Sequence, residues 1–370
     1  FNKALDALGL AGRNSRVIVP ALGGAFGTGL DTHAYEYIAI LLAHRTGRPV
    51  KILRREEEFA HLSPRQSATV RIAQGCDGQG RLTFRSIDVL QDNGAYASWG
   101  ATYPSVMMLP ATSLYRVPAV HFDARIVYTN NTYCQAMRGY GNPELTWALE
   151  SNLDELAEAA SIDPLEMRLR NCNEPGEVTP MGLKVTTCGL RACLEGTAGR
   201  LDWSEKRGAG RGRKRGVGMA SLVHVGGSGR IYRSDGSGII LRLDDFGNVY
   251  VYAGGVEMGQ GHHSALQLGV AELLGVRPES VVINQTDTAT CPWDVGTHAS
   301  RGAFTALKAA ELAAAKLRAR IFELAEDVMP AAAGRRDRLE LRDGVLHVKG
   351  AEDEPGGRMP LDRFLRAVHF

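Results

Sequence analysis

The chain has 370 residues, 44% of them hydrophobic, enough for two ordinary domains with their own cores. A formal net charge of only +2 argues against a nucleic-acid-binding or membrane-surface protein. No apolar run of about 18 residues occurs, so no transmembrane helix is expected.

In chain order, FNKALDALGL lacks the charged start, long apolar run and cleavage site of a secretory leader. SRVIVP reads as a buried strand, followed by the loop ALGGAFGTGL. DTHAYEYIAILLAHRTG reads as a helix with an Asp/Thr cap and Gly47 at its end. VKILRR is the next strand. SATVRIAQG and RLTFRSIDVL flank CDGQG in a hairpin pattern. NPELTWALESNLDELAEAA reads as a helix with Asn142 as cap and Pro143 in its first turn; DPLEMRLRN repeats the cap-then-Pro signature. EKRGAGRGRKRG reads as a solvated basic linker at 205–216, separating a first subdomain, 1–204, from a second, 217–370. Beyond it come strands at SGIILRLDD, NVYVYAGG and SVVINQTDT, an Ala-rich helix over about 303–328, and the hairpin LELRDGVLHVKG. Strands and helices mix without strict alternation, which favours α+β layers over a doubly wound sheet. The chain starts at Phe1 and stops in the helix-like RFLRAVHF, as a piece of a longer polypeptide would.

Six cysteines, Cys76, Cys134, Cys172, Cys188, Cys193 and Cys291, form no CxxC pair. Zinc, iron–sulfur and disulfide roles are therefore not expected, and the thiols read as free ones in a reducing cytoplasm.

Three segments share one design: GGAFGTGLD at 23–31, EMGQGHHS at 257–264 and GTHASRGAF at 296–304. Each lies between a strand and a helix. Helix-start N–H groups attract anions, and glycine lets backbone approach a ligand. Three such loops point to one ligand with several polar or phosphate groups. None has the dinucleotide fingerprint or a Walker A lysine. A fourth segment, TYCQAMRGYGNPE at 132–144, places Cys134, Gln135, Arg138 and Tyr140 before a capped helix. It reads either as a ligand wall with a charged anchor or as a loop whose arginine neutralises a carboxylate.

Together GGAFG, AMRGYGNPE, EMGQGHHS and THASRGAF resemble, in order and spacing, the molybdopterin-binding large subunit of the xanthine dehydrogenase/aldehyde oxidase family. The resemblance covers nearly the whole chain. It implies two layered α+β subdomains gripping the cofactor, and a molybdenum ion held by the pterin dithiolene rather than by side chains. Gly24, Phe26 and Gly27 would then lie by the molybdenum. Arg138 would stand at the metal face. Gly259, Gln260 and Gly261 would bond the pterin and its phosphate region, and Ala299, Ser300 and Arg301 the pterin or a cytosine-dinucleotide tail, where the positive Arg301 would suit a diphosphate. Implied partners are the rest of the large subunit, a [2Fe–2S] subunit and an FAD subunit, as a cytoplasmic dimer of heterotrimers with neither nucleic acid nor membrane.

The family's glutamate base lies in a G-E-P-P-like motif. NEPGE at 173–177 and DEPGG at 353–357 have neither its order nor its place and read as turns. The family's N-terminal hammerhead-like domain is missing too, so the chain by itself is expected to be catalytically incomplete. Among branches, the first loop lacks the purine-gripping glutamate, which disfavours xanthine. Gln135 stands where carbon monoxide dehydrogenases carry a copper-holding cysteine, so copper is not expected. Cys134 fits the 4-hydroxybenzoyl-CoA reductase branch, implying reductive dehydroxylation of an aromatic thioester. Hydroxylases of xanthine, aldehydes or N-heterocycles, or a non-catalytic phosphate- or nucleotide-binding module, are the alternatives. Tyr96, Trp99, Tyr103 and Tyr140 are candidates for an aromatic substrate wall, and His262 and His263 for the cap region of a helix.

Overall fold

The computed structural model describes residues 2–10, 12, 15–53, 64–208, 216–227 and 235–369. They fall into two compact units: residues 26–225, and residues 1–25 together with 226–370. The chain opens in the latter with α1 (Asn2–Ala7) and β1 (Ile18–Val19). The expected SRVIVP strand thus shortens to two residues with no buried side chain. Its backbone pairs with only a two-residue partner.

The unit of residues 26–225 starts with α2 (Ala34–Thr46). Its N-cap is His33, not the expected Asp/Thr pair: the Glu36 carboxylate accepts from the His33 N–H at 2.8 Å. Asp31 turns away to accept from Ser98. Gly47 ends the helix at φ 61°, as the sequence predicts. Of VKILRR, residues 50–53 are irregular and 54–55 lie outside the described residues.

The hairpin forms as expected from β2 (Ala68–Cys76) and β3 (Leu82–Gly94). Asp77 closes its turn by accepting from the N–H groups of Gln79 and Arg81, both at 2.9 Å. After α3 (Tyr103–Ser113), β4 (Val120–Tyr128) adds in parallel to β3, giving the order β2-β3-β4. Alternation along β3 buries Ile87 and Val89 and exposes Phe84 and Leu90. The buried face meets Met107 and Ala111 of α3 and Leu145 and Leu149 of α4 (Asn142–Ala159). Gly141, at φ 86°, is the N-cap of α4; Asn142 is its first helical residue, correcting the expected cap, because its amide is turned inward to the Val223 carbonyl. α5 (Pro164–Arg170) keeps its expected Asp163 cap. It is tied to α4 by a buried ion pair, Arg168 to Glu150 at 2.8 Å. α6 (Leu190–Leu201) and α7 (Trp203–Gly208) follow; α7 occupies the start of the expected linker, whose residues 209–215 lie outside the described ones.

In the other unit, β5 (Ile239–Leu243), β6 (Val249–Ala253) and β7 (Val281–Ile283) make a sheet in that order. α8 (His262–Leu274) links β6 to the parallel β7, and β8 (Thr286–Asp287) pairs with β1. α9 (Gly302–Val328) turns Ala306, Ala310, Ala314 and Ala325 inward, small side chains that permit close helix packing. A second sheet, β11-β10-β9, is built from β9 (Leu339–Arg342), β10 (Val345–Val348) and β11 (Arg358–Pro360). α10 (Leu361–His369) closes the unit, with Phe364 in its core. NEPGE and DEPGG both lie in turns and irregular backbone.

Candidate cofactor site

Within residues 26–225, two loops meet through their backbones. Phe26 and Gly27 have φ of 52° and 113°. A Cβ on Gly27 would stand 2.5 Å from the Ala136 carbonyl oxygen, so this approach requires glycine. The Arg138 N–H donates to the Phe26 carbonyl at 2.7 Å, and the exposed Arg138 guanidinium lies 5.9 Å from the Phe26 ring centroid. Gly139, Tyr140 and Gly141 are all left-handed, at φ 95°, 50° and 86°. Strain of this kind, for a tyrosine above all, persists only where the surroundings over-determine it.

The surroundings here are a polar scaffold under the loop. The Tyr103 hydroxyl donates to the Gln135 carbonyl at 2.8 Å and accepts from the Met137 N–H at 2.9 Å. Arg65 donates to the Arg138 carbonyl and pairs with Glu144 at 3.1 Å. The Tyr140 hydroxyl donates to the Trp99 carbonyl at 2.7 Å.

The candidates for a substrate wall divide here. Tyr103, Cys134 and Gln135 are buried beneath the loop. Each points inward because it has a partner there: Cys134 Sγ faces the Asp92 carbonyl at 3.6 Å, and Gln135 donates to the Tyr133 hydroxyl at 3.2 Å. Burial pushes the Cys134 thiol up, keeping it neutral. Trp99 and Tyr140 are half-buried, and Tyr96 is 70% exposed.

In the other unit, Gly24 has φ 118° and the Leu22 N–H donates to the Glu257 carbonyl at 2.9 Å. That bond joins the first glycine-rich loop to the Gly259-Gln260-Gly261 loop. Gly259 and Gly261, at φ 93° and 80°, turn alternate N–H groups to one side. These groups are not left open, as the sequence suggests. The Glu257 carboxylate takes the N–H groups of Gly259, Gly261 and His263 at 2.8, 3.1 and 2.9 Å. The His263 N–H above all holds that carboxyl below its usual range. Gln260 closes the same turn: its Oε1 accepts from the Met258 N–H at 2.6 Å and its Nε2 donates to the Val256 carbonyl at 2.8 Å.

The third loop is tied to the second by the Val256 N–H, which donates to Thr297 Oγ1 at 2.9 Å. Ala299 and Ser300 are consecutive left-handed residues, at φ 48° and 55°, just before α9. The start of α9 aims its first N–H groups outward, as any helix start does. A cavity of about 320 Å³ lies here, lined by Met258, Gln260, His262, Thr297, Ser300 and Gly302 among others. Burial holds the His262 and His298 imidazoles below their ordinary range, so both are neutral at pH 7.

Arg301 does not offer its charge to a diphosphate. Its side chain is 1% exposed and pairs with Asp235 and, at 3.0 Å, Asp294. It also donates to the Gly296 and Gly236 carbonyls at 2.8 and 2.7 Å and to Ser237 Oγ at 3.0 Å. The guanidinium fork is thereby filled, and it holds the loop in shape.

Four contributors escape sequence reasoning: Glu257, Asp235, Asp294 and the Tyr103 hydroxyl. Glu257 carries a readable signal, an acid two residues before Gly-x-Gly at a helix start. Asp235 lies 66 residues before Arg301 and carries none. Among the described residues, no cluster of three His, Cys, Asp or Glu side chains could hold a metal ion, and no helix is long and apolar enough to cross a membrane.

Residues 2–172 and 195–370 each match a molybdopterin cofactor-binding domain. The xanthine dehydrogenase molybdenum-binding subunit of Escherichia coli O157:H7 is 34% identical over 313 residues, 83% of this chain and 42% of that protein. The nicotinate dehydrogenase large molybdopterin subunit of Eubacterium barkeri is 34% identical over 200 residues, 54% of this chain and 45% of that one. Quinoline 2-oxidoreductase from Pseudomonas putida 86 superposes with a TM-score of 0.82 at 26% identity, over 100% of this chain and 48% of that one. Reconstituted CO dehydrogenase from Oligotropha carboxidovorans, at 22% identity and a TM-score of 0.85 over 98% of this chain and 48% of that one, shares the fold. The chain thus spans a little under half the length of these relatives, and its mixed α/β fold is their two-part molybdopterin-binding architecture. It belongs to the xanthine dehydrogenase/aldehyde oxidase family of molybdenum hydroxylases, within the molybdopterin-binding subunit.

Proposed function

We propose that the chain forms the cofactor-holding part of an oxidoreductase that hydroxylates a nitrogen heterocycle. The observation that carries this reading is the set of relatives named for such substrates: the xanthine, nicotinate and quinoline enzymes. The dehydroxylating, 4-hydroxybenzoyl-CoA reductase-like reading draws on Cys134 and on the style of DNGAYASWG and DVGTHASR; it has less support because the relatives described above are named for other substrates. When bound, molybdopterin supplies oxygen-atom and two-electron transfer.

The chain's own residues fit such a group. The crowded Gly27 lets backbone come close where a side chain could not. Phe26 and Arg138 present an exposed aromatic face and a guanidinium at the metal end. Gly259, Gln260 and Gly261 shape a turn for the pterin edge. Ala299 and Ser300, with the N-terminus of α9, suit a phosphate or a cytosine-dinucleotide tail. Arg301 holds that loop from behind. The rest of the large subunit, a [2Fe–2S] subunit and an FAD subunit would complete the enzyme and carry electrons away.

The test is to produce the full-length protein with its partner subunits and measure molybdenum, then turnover. The panel comprises purines, pyridine carboxylates, quinolines, aldehydes and an aromatic hydroxyacyl thioester. Oxidation of a heterocycle supports the reading. Turnover of the thioester alone would replace it with the dehydroxylating one, and absence of molybdenum would remove both.

A further inference from the structure

An anion already sits in the turn expected to receive one. The three N–H groups gathered by Gly259 and Gly261 converge on the half-buried Glu257 carboxylate. Neither glycine is crowded: a Cβ on either would meet nothing within 4 Å. They are required for the positive φ that gathers the N–H groups, not for space. The backbone of the same glutamate accepts from Leu22, so one residue organises the turn and joins it to the first glycine-rich loop.

From this geometry we infer that Glu257 is a positioning residue: its carboxylate is the turn's permanent internal anion, formed before the cofactor arrives and kept when it binds. Two consequences follow. The N–H groups of Gly259, Gly261 and His263 are withheld from the cofactor's phosphate, which a carboxylate at this point also repels. The turn instead offers neutral contacts, and its ligand-ready shape costs no ordering at the moment of binding. What the turn holds rests on the proposed function; that Glu257 holds the turn does not.

The experiment uses the full-length protein in its natural assembly, as wild type, Glu257→Gln and Glu257→Ala. Amide hydrogen exchange is followed at residues 259–263, alongside molybdenum content and the thermal midpoint. In Glu257→Ala, exchange should quicken about tenfold or more at Gly259, Gly261 and His263. Molybdenum content should fall several-fold while the midpoint stays near wild type, and Gln should be intermediate. Formate, a small carboxylate able to re-enter the vacated nest, should slow exchange in Glu257→Ala and leave wild type unaltered. Unchanged exchange at these three amides, with or without formate, overturns the inference. So does faster exchange with undiminished molybdenum. If wild type carries no molybdenum, the proposed function fails, and the exchange and formate responses still decide the role of Glu257.

Discussion

Replacing Arg301 with methionine removes a guanidinium whose donors serve two carboxylates, two carbonyls and a hydroxyl. Methionine keeps most of the buried stem volume, so the cost falls on the groups left behind. Asp294 and Asp235 side chains are only 6% and 17% exposed, too enclosed for water to replace the lost cation in full. Breaking a buried pair from one side costs about 3–5 kcal/mol. For a unit of this size that lowers the thermal midpoint by roughly 6–20 °C. The check is chemical and thermal unfolding of Arg301→Met, Arg301→Lys and the triple variant Arg301→Met, Asp294→Asn, Asp235→Asn. Lysine should rescue partially, since three donors cannot replace a planar fork. The triple variant should regain part of the loss, because no uncompensated charge remains. An Arg301→Met protein within about 1 kcal/mol of wild type, yet depleted of cofactor, would refute this account, since an exposed phosphate-binding arginine costs little to remove.

Gly27→Ala forces a left-handed alanine against the Ala136 carbonyl, so the Phe26 and Arg138 loops must part; strain alone is worth about 1–3 kcal/mol. Pterin content should fall with stability, and an unchanged midpoint with full pterin would show that the loops do not meet this way. Glu150→Ala leaves Arg168 buried without its main partner and should cost about 3–5 kcal/mol in denaturant unfolding; a loss below 1 kcal/mol would mean water reaches the pair. Hydrogen bonds from Arg16 hold the Asp287 carboxyl down to about 2. A depressed carboxyl stabilises above its unfolded value, near 3.9, and that contribution disappears as pH falls through the folded value. A carboxyl NMR titration of Asp287 should therefore centre near 2, and a midpoint near 3.9 would show that the Arg16 pair does not form.

Local chemistry was readable wherever it acts over a few residues. The Asp77 turn, the Asp163 cap, Gly47 and the alternation of β3 follow from side chains close in sequence. The four loops were legible only as a set: one glycine-rich turn alone is more often just a turn, and it was the combination, in order and spacing, that resembled the family. What escaped was the direction in which polar side chains point. Arg301 reads as a ligand for phosphate until Asp235, 66 residues earlier, is brought beside it. Tyr103 reads as a wall until its hydroxyl is seen to hold the Gln135 carbonyl and the Met137 N–H of the strained loop, and Gln135 until its amide is seen to turn to the Tyr133 hydroxyl. Glu257 was the legible omission: a carboxylate next to a Gly-x-Gly turn is the nearest anion those N–H groups can find.

The central claim is that these loops hold molybdopterin, and metal and pterin analysis of the full-length protein, purified with its partner subunits, tests it most directly. Near-stoichiometric molybdenum, with the fluorescence of an oxidised pterin released on denaturation, is the predicted result. Correctly folded protein in its full assembly, made in cells that supply the cofactor, yet carrying neither molybdenum nor pterin, would contradict it.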